Sequence, residues 1–164
     1  MELEQIREKM AQYLVEQGVT ATAAWPEGDR PRLGAPVTVV SLRECKTGPG
    51  SLLDYLGEVY DPDTGLWEER YGRRVELTFG LDTYAGEGGQ ADLQTAFAAL
   101  ANALAAGSPD ALAVRQFTCG EMEYDGKARL LKRTAQVVCT GWLCAVKRAE
   151  ETFLDFELRG AWKQ

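Results

Sequence analysis

Between Leu66 and Asp82 apolar and polar positions alternate as along a single very long β-strand. Its odd positions read Trp67, Glu69, Tyr71, Arg73, Val75, Leu77, Phe79 and Leu81, and its even positions are polar or glycine after Leu66. Period two over the second half marks a strand with one face on a core. Seventeen residues at about 3.3 Å each reach roughly 55 Å, well past the usual strand of about five or six residues. A small domain cannot cover that length, so the Trp67 end is expected to project. The turn Asp61-Pro62-Asp63-Thr64-Gly65 joins it to a partner strand over Asp54 to Tyr60, because Pro and Gly preset the backbone angles of a reversal.

The remaining pattern predicts two helices and further strands. Leu3, Ile6, Met10, Tyr13 and Leu14 follow helical spacing, with Gly18 as the stop, which gives a helix from about Glu2 to Gln17. Val19 to Trp25 permits a short strand before the breaker-rich loop Pro26 to Pro31, and Val37 to Cys45 reads as a strand ending before Gly48-Pro49-Gly50. Gly86-Glu87-Gly88-Gly89 precedes a helix over Gln90 to Ala106, eight of whose residues are alanine, with Leu93, Phe97, Leu100 and Leu104 along one stripe. Val114 to Tyr124, a turn at Asp125-Gly126, Arg129 to Lys147 and Phe153 to Arg159 complete the strands. Ala135, Val137, Cys139, Leu143 and Ala145 share one face of the second long strand, while Trp142 shares the other with Thr134, Gln136 and Thr140. In the last strand Leu154, Phe156 and Leu158 point inward. Adjacent hairpins with helices between them predict one α+β domain over residues 1–164, an antiparallel sheet with long hairpins packed by two helices.

Composition narrows the chemistry. Apolar content of 45% and charged content of 26% are those of a globular protein. No apolar run approaches the roughly 20 residues that span a bilayer, and the acidic, amphipathic Met1 to Gln5 is unlike a secretory leader. Both point to the cytosol. Histidine is absent, which excludes histidine-activated nucleophiles, histidine metal sites and imidazole proton shuttles. A net charge of −7 argues against a nucleic-acid reader. The densest basic run, Lys127 to Arg133, lies beside Glu121, Glu123 and Asp125 and reads as a charged hairpin edge.

Cys45, Cys119, Cys139 and Cys144 lack a C-x-x-C pair and read as small buried apolar residues, the last two on opposite strand faces. The Asp61 turn begins like a calcium loop, but Gly65 is fifth rather than sixth and Gly72 stands where a glutamate belongs. Gly86 to Gly89 lacks the Lys and Ser/Thr of a phosphate loop. No metal or cofactor is expected. Carboxylate chemistry would fall to Asp82, Glu121, Glu123 and Asp125, which show no paired geometry. Aromatic residues give a stronger signal: Tyr55, Tyr60, Trp67 and Tyr71 on the hairpin 54–74, and Trp142 among polar neighbours, are placed as anchors for another subunit.

The whole layout resembles the tail terminator, or tail-completion, proteins of bacteriophages and prophages. The resemblance lies in the opening helix, V-E-L-T-F-G-L-D-T-Y, A-D-L-Q-T-A-F-A-A-L-A-N-A-L, E-Y-D-G, T-A-Q-V-V-C-T-G-W-L-C-A and F-L-D-F-E-L-R-G, and covers about Glu2 to Gly160. It implies a non-enzymatic structural protein, assembled in the bacterial host cytoplasm and then part of the tail or neck. Such a protein forms a closed ring of six copies that caps the tail tube and meets the head connector, with no sequence-specific nucleic acid and no membrane as partner. Six copies at −7 each would give an acidic lumen through which DNA passes without sticking. The alternatives are another neck, baseplate or tail component, and a small-molecule binding domain or carboxylate-based enzyme.

Overall fold

Ile6, Met10 and Leu14 recur every fourth residue, and all three are buried to 3% exposure or less on one stripe of helix α1 (Leu3–Glu16). The helix ends where the sequence expects. Gly18 adopts a φ of 82°, its N–H donates to the carbonyl of Val15, and the N–H of Val19 donates to that of Leu14. This pair of bonds satisfies carbonyls that a helix end otherwise leaves free, and the left-handed conformation is the reason a glycine stands there. Helix α2 (Gln90–Ala106) buries Leu93, Phe97, Leu100, Ala103 and Leu104, the expected stripe plus one alanine. The Tyr13 hydroxyl donates to the carbonyl of Ala103 at 2.8 Å and ties the two helices together.

This computed structural model describes residues 3–25, 33–49, 54–126, 129–147 and 156–159. Their seven strands form one sheet: β1 (Ala21–Thr22), β2 (Val37–Pro49), β3 (Tyr55–Asp61), β4 (Leu66–Ala85), β5 (Ala113–Asp125), β6 (Leu130–Lys147) and β7 (Phe156–Arg159). The main path runs β1-β2-β4-β6-β5, with β3 beside β4 and β7 beside β6. All pairs are antiparallel except β1 with β2. The fold is α+β, as the alternation of hairpins and helices requires.

Both helices lie on one face. Val40, Val75, Leu77, Phe79, Leu81, Ala135, Val137 and Cys139 join α1 and α2 in a single core cluster. Each of the Val, Leu and Phe side chains carried from water into this layer contributes on the order of 1.5 to 3 kcal/mol before entropy. Thr38 and Thr83 share that face, and their buried hydroxyls bond each other at 3.0 Å, so neither is left unsatisfied.

Some boundaries differ from the sequence expectation. Strand β2 continues to Pro49 instead of stopping at Cys45, because β4 runs alongside and offers register partners as far as Arg73. Strand β4 likewise runs three residues beyond Asp82, to Ala85. Only Ala21 and Thr22 of the Val19–Trp25 stretch form a strand, since β2 supplies just two paired positions there. In the basic run, Lys127 lies outside the described residues, and Lys132 and Arg133 are not on a sheet edge. Strand β6 lies between β4 and β5, where Lys132 bonds Asp82 at 3.1 Å and Arg133 lies 4.2 Å over the Phe97 ring. The last strand is described from Phe156 onward, and Leu154 lies outside the described residues.

Phe79 sits at the centre of the core with no exposed surface. Phe79→Ala is expected to lower the unfolding free energy by about 3–5 kcal/mol in urea titration, the usual result of a large cavity.

Candidate interface at the end of the long ladder

Strands β4 and β6 pair without a break over seventeen positions, from Glu69 opposite Lys147 to Ala85 opposite Leu131. Their flanking strands divide that length. Along the inner half β2 lies outside β4 and β5 outside β6; along the outer half β3 takes the place of β2, and β7 that of β5. The expected two-stranded hairpin arm is therefore the margin of a four-stranded ribbon, β3-β4-β6-β7. Only Val59–Asp61 and Leu66–Glu68 run past the last β6 position, Lys147. The helices stop short of the ribbon: no residue from Asp54 to Tyr71 belongs to the core cluster.

Register assigns the ribbon's side chains to two faces. On the helix side, successive rows read Tyr60 with Trp67; Glu58 with Glu69; Tyr55 with Tyr71; and Arg73 with Leu143. Tyr60 and Trp67 stack at 5.6 Å between ring centroids and Tyr55 and Tyr71 at 5.5 Å, both within the range of favourable tilted pairs. Yet they are not core residues. Trp67 is 60% exposed, Tyr60 49% and Tyr55 39%, with Leu66 beside them at 48%. Of the four aromatics taken as anchors, Tyr55, Tyr60 and Trp67 are exposed and Tyr71 is half-buried.

Between the aromatic pairs, Glu58 and Glu69 stand directly opposite each other. Like charges so placed are destabilising in an isolated sheet. The Tyr71 hydroxyl donates to Glu69 Oε2 at 2.9 Å. That bond is the leading cause of the rise of the Tyr71 phenol above its ordinary pKa, while desolvation followed by Glu58 raises Tyr55.

Trp142 occupies the other face. Both helices pack on the Val137 and Cys139 side, so α1 does not cover the indole. It is half-buried and lies in register beside Arg74. Tyr55, Tyr60, Trp67 and Tyr71 thus converge, and Trp142 lies back to back with them across the same ribbon. The pattern of polar neighbours picked out Trp142. The sequence reading did not pick out Glu58 facing Glu69, a contact that follows from the register set at the Asp61–Leu66 turn, while the slip at Tyr55/Gly57 brings Tyr55 opposite Tyr71.

The carboxylates raised as catalytic candidates do not assemble. Asp82 is held between Arg43 at 3.0 Å and Lys132 at 3.1 Å, an arrangement that occupies both its oxygens. Arg43 is the bulge residue of β2 and lies flat over Gly80, where a Cβ would fall 2.1 Å from its Nε. Glu121 and Glu123 are exposed and Asp125 is half-buried at the far end of β5. The main groove, about 470 Å³ between the end of α1 and one side of α2, is lined by none of them. At the Asp61 turn, Oδ1 accepts from the Asp63 N–H at 3.0 Å and Oδ2 from the Thr64 hydroxyl at 2.7 Å, so the aspartate shapes the reversal itself.

The fold and this ribbon define a class, a small α+β protein with a sheet longer than its helical cover. No family model matches the chain, and no curated protein is significantly similar to it.

The cysteines differ from the expectation of four buried residues. Cys139 and Cys144 are buried, on opposite faces as expected, and Cys45 and Cys119 are exposed because they lie on β2 and β5, toward the sheet's margins. Burial pushes the Cys139 thiol up to about 12. A thiol reagent at pH 8 is expected to titrate two cysteines in the native protein and four after denaturation; four at once in the native protein would contradict the packing around Cys139 and Cys144.

Proposed function

We propose that this protein is a structural component of a bacteriophage or prophage tail, a terminator whose copies form a ring that caps the tail tube and joins it to the head. The observation that carries the reading is the exposed aromatic face of the ribbon. A capping protein must occupy the growing end of a tube while offering the next layer no equivalent surface, and it needs an interface that the isolated subunit leaves open. Residues Tyr55, Tyr60 and Trp67 together leave on the order of 350 Å² exposed on one face, within what a monomer ordinarily shows as one patch. Covering it contributes roughly 10 kcal/mol. Association itself costs an estimated 4–15 kcal/mol. The patch is thus enough to guide docking and too small to hold a ring alone, so more of the ribbon must join the contact. The layout of helices and strands resembles that of tail-completion proteins in order, and the charge of −7 per copy suits a channel that DNA crosses.

Negative-stain images of the purified protein at high concentration are expected to contain closed rings; particles that remain single subunits at every concentration would contradict the reading. The double variant Trp67→Ser with Tyr71→Ser is expected to keep its circular dichroism and to lose rings. Unfolding of that variant would return both side chains to a structural role.

A further inference from the structure

Four strands side by side give the ribbon two margins, β3 and β7, and among the described residues neither has a second neighbour: β3 pairs with β4 alone and β7 with β6 alone. An open margin presents a row of backbone N–H and C=O groups to any strand that fits. The margins of the inner half are guarded against this. Strand β2 carries the bulge at Arg43, then Lys46 and Pro49, and β5 breaks register twice. Strand β3 has no lysine, arginine or proline, and beyond the shift at Tyr55/Gly57 it keeps regular register from Gly57 to Asp61.

Strand directions make the two margins complementary. All three pairings within the ribbon are antiparallel, so β3 and β6 run one way and β4 and β7 the other. A β7 laid beside the β3 of another copy therefore continues the antiparallel alternation with the same face forward. Their heights differ. Strand β7 lies level with Tyr71–Arg74 of β4, whereas Gly57–Tyr60 lies level with Trp67–Arg70, four positions nearer the tip. At equal height β7 would fall beside Gly48 and Pro49, and a proline has no N–H to offer. Sliding it four positions toward the tip sets its four residues against Gly57–Tyr60, and an even shift keeps the pleats in phase. That shift, about 13 Å across four strands spanning about 19 Å, tilts the strands by roughly 35°, the inclination at which sheets close on themselves.

We propose that copies of this chain join by pairing β7 of one with β3 of the next, Phe156–Arg159 antiparallel to Gly57–Tyr60. This rests on the ring reading above and specifies its contact. Two different margins meet, so the contact is heterologous and repeats by rotation, whereas β3 on β3 would stop at a two-fold dimer. The shift also sets the start of the neighbour's helix-covered core, at Val75, level with Tyr71 and Tyr55, where it walls the aromatic face.

The test is a directed cross-link in the full chain, with Cys45→Ser and Cys119→Ser removing the exposed native thiols. The pairing sets Glu58 opposite Leu158 of the next copy. A protein bearing Glu58→Cys, mixed with one bearing Leu158→Cys, is expected to give disulfide-linked heterodimers on mild oxidation, and a chain bearing both to give a ladder of covalent oligomers. Rings in negative stain with no such link would overturn the contact and leave the ring reading standing. Homodimers of the Glu58→Cys protein in place of heterodimers would also overturn it. Amide hydrogen exchange reads the same contact in the wild type. Assembly is expected to slow exchange within Gly57–Tyr60 by about tenfold or more, and unchanged rates in assembled rings would contradict the pairing. A wild type that never associates would overturn both the contact and the ring.

Discussion

Everything distinctive about this molecule follows from the unbroken pairing of β4 with β6. Seventeen consecutive register pairs make a ladder longer than two short helices can cover. Helices α1 and α2 span 14 and 17 residues, and at about 1.5 Å per residue they reach roughly 20–25 Å, against roughly 55 Å for the ladder. One end of the sheet is therefore a conventional two-layer core around Phe79, and the other is a ribbon with aromatic side chains on the side where helices would otherwise sit. The outer strands β3 and β7 stiffen that end by widening it, so that the ribbon holds its aromatic rows in a fixed geometry.

The same sheet limits how such a molecule can associate. Open edges invite strand-on-strand pairing, and proteins resist it with bulges, charges and prolines. Strand β2 has a bulge at Arg43, then Lys46, and ends on Pro49; β5 breaks register twice, at Val114/Gln116 and Cys119/Met122. The outer stretches of β2 and β5 are thus defended, while the ribbon's aromatic face is not. Association through the face, as proposed above, would leave these guarded strands out of the contact.

Much of this was legible in the residues. The alternation through Val75, Leu77, Phe79 and Leu81 is strict because one face meets helices, and the stripe of Leu93, Phe97, Leu100 and Leu104 meets it from above. Gly18 and the Asp61 turn declared their roles through backbone chemistry. What escaped was set by neighbours distant in sequence. Strand β2 runs on through Gly48 and Pro49 because β4 is there to pair with. Lys132 and Arg133 read as a solvated edge, yet β5 on one side and β4 on the other bring them inside the sheet. Arg43 reaches Asp82 only because a bulge turns it outward over a glycine. The aromatic cluster was visible residue by residue, but the carboxylates facing each other within it appear only once register is known.

The most direct measurement is hydroxyl-radical footprinting of dilute and assembled protein side by side. Tyr60, Trp67 and Tyr124 are all exposed in the single chain, at 49%, 60% and 52%. Assembly is predicted to suppress oxidation of Tyr60 and Trp67 and to leave Tyr124, at the far end of the sheet, unchanged. Equal reactivity of Tyr60 and Trp67 in both states, or protection of both already in the dilute chain, would contradict the claim that the ribbon's bare end is covered by another molecule.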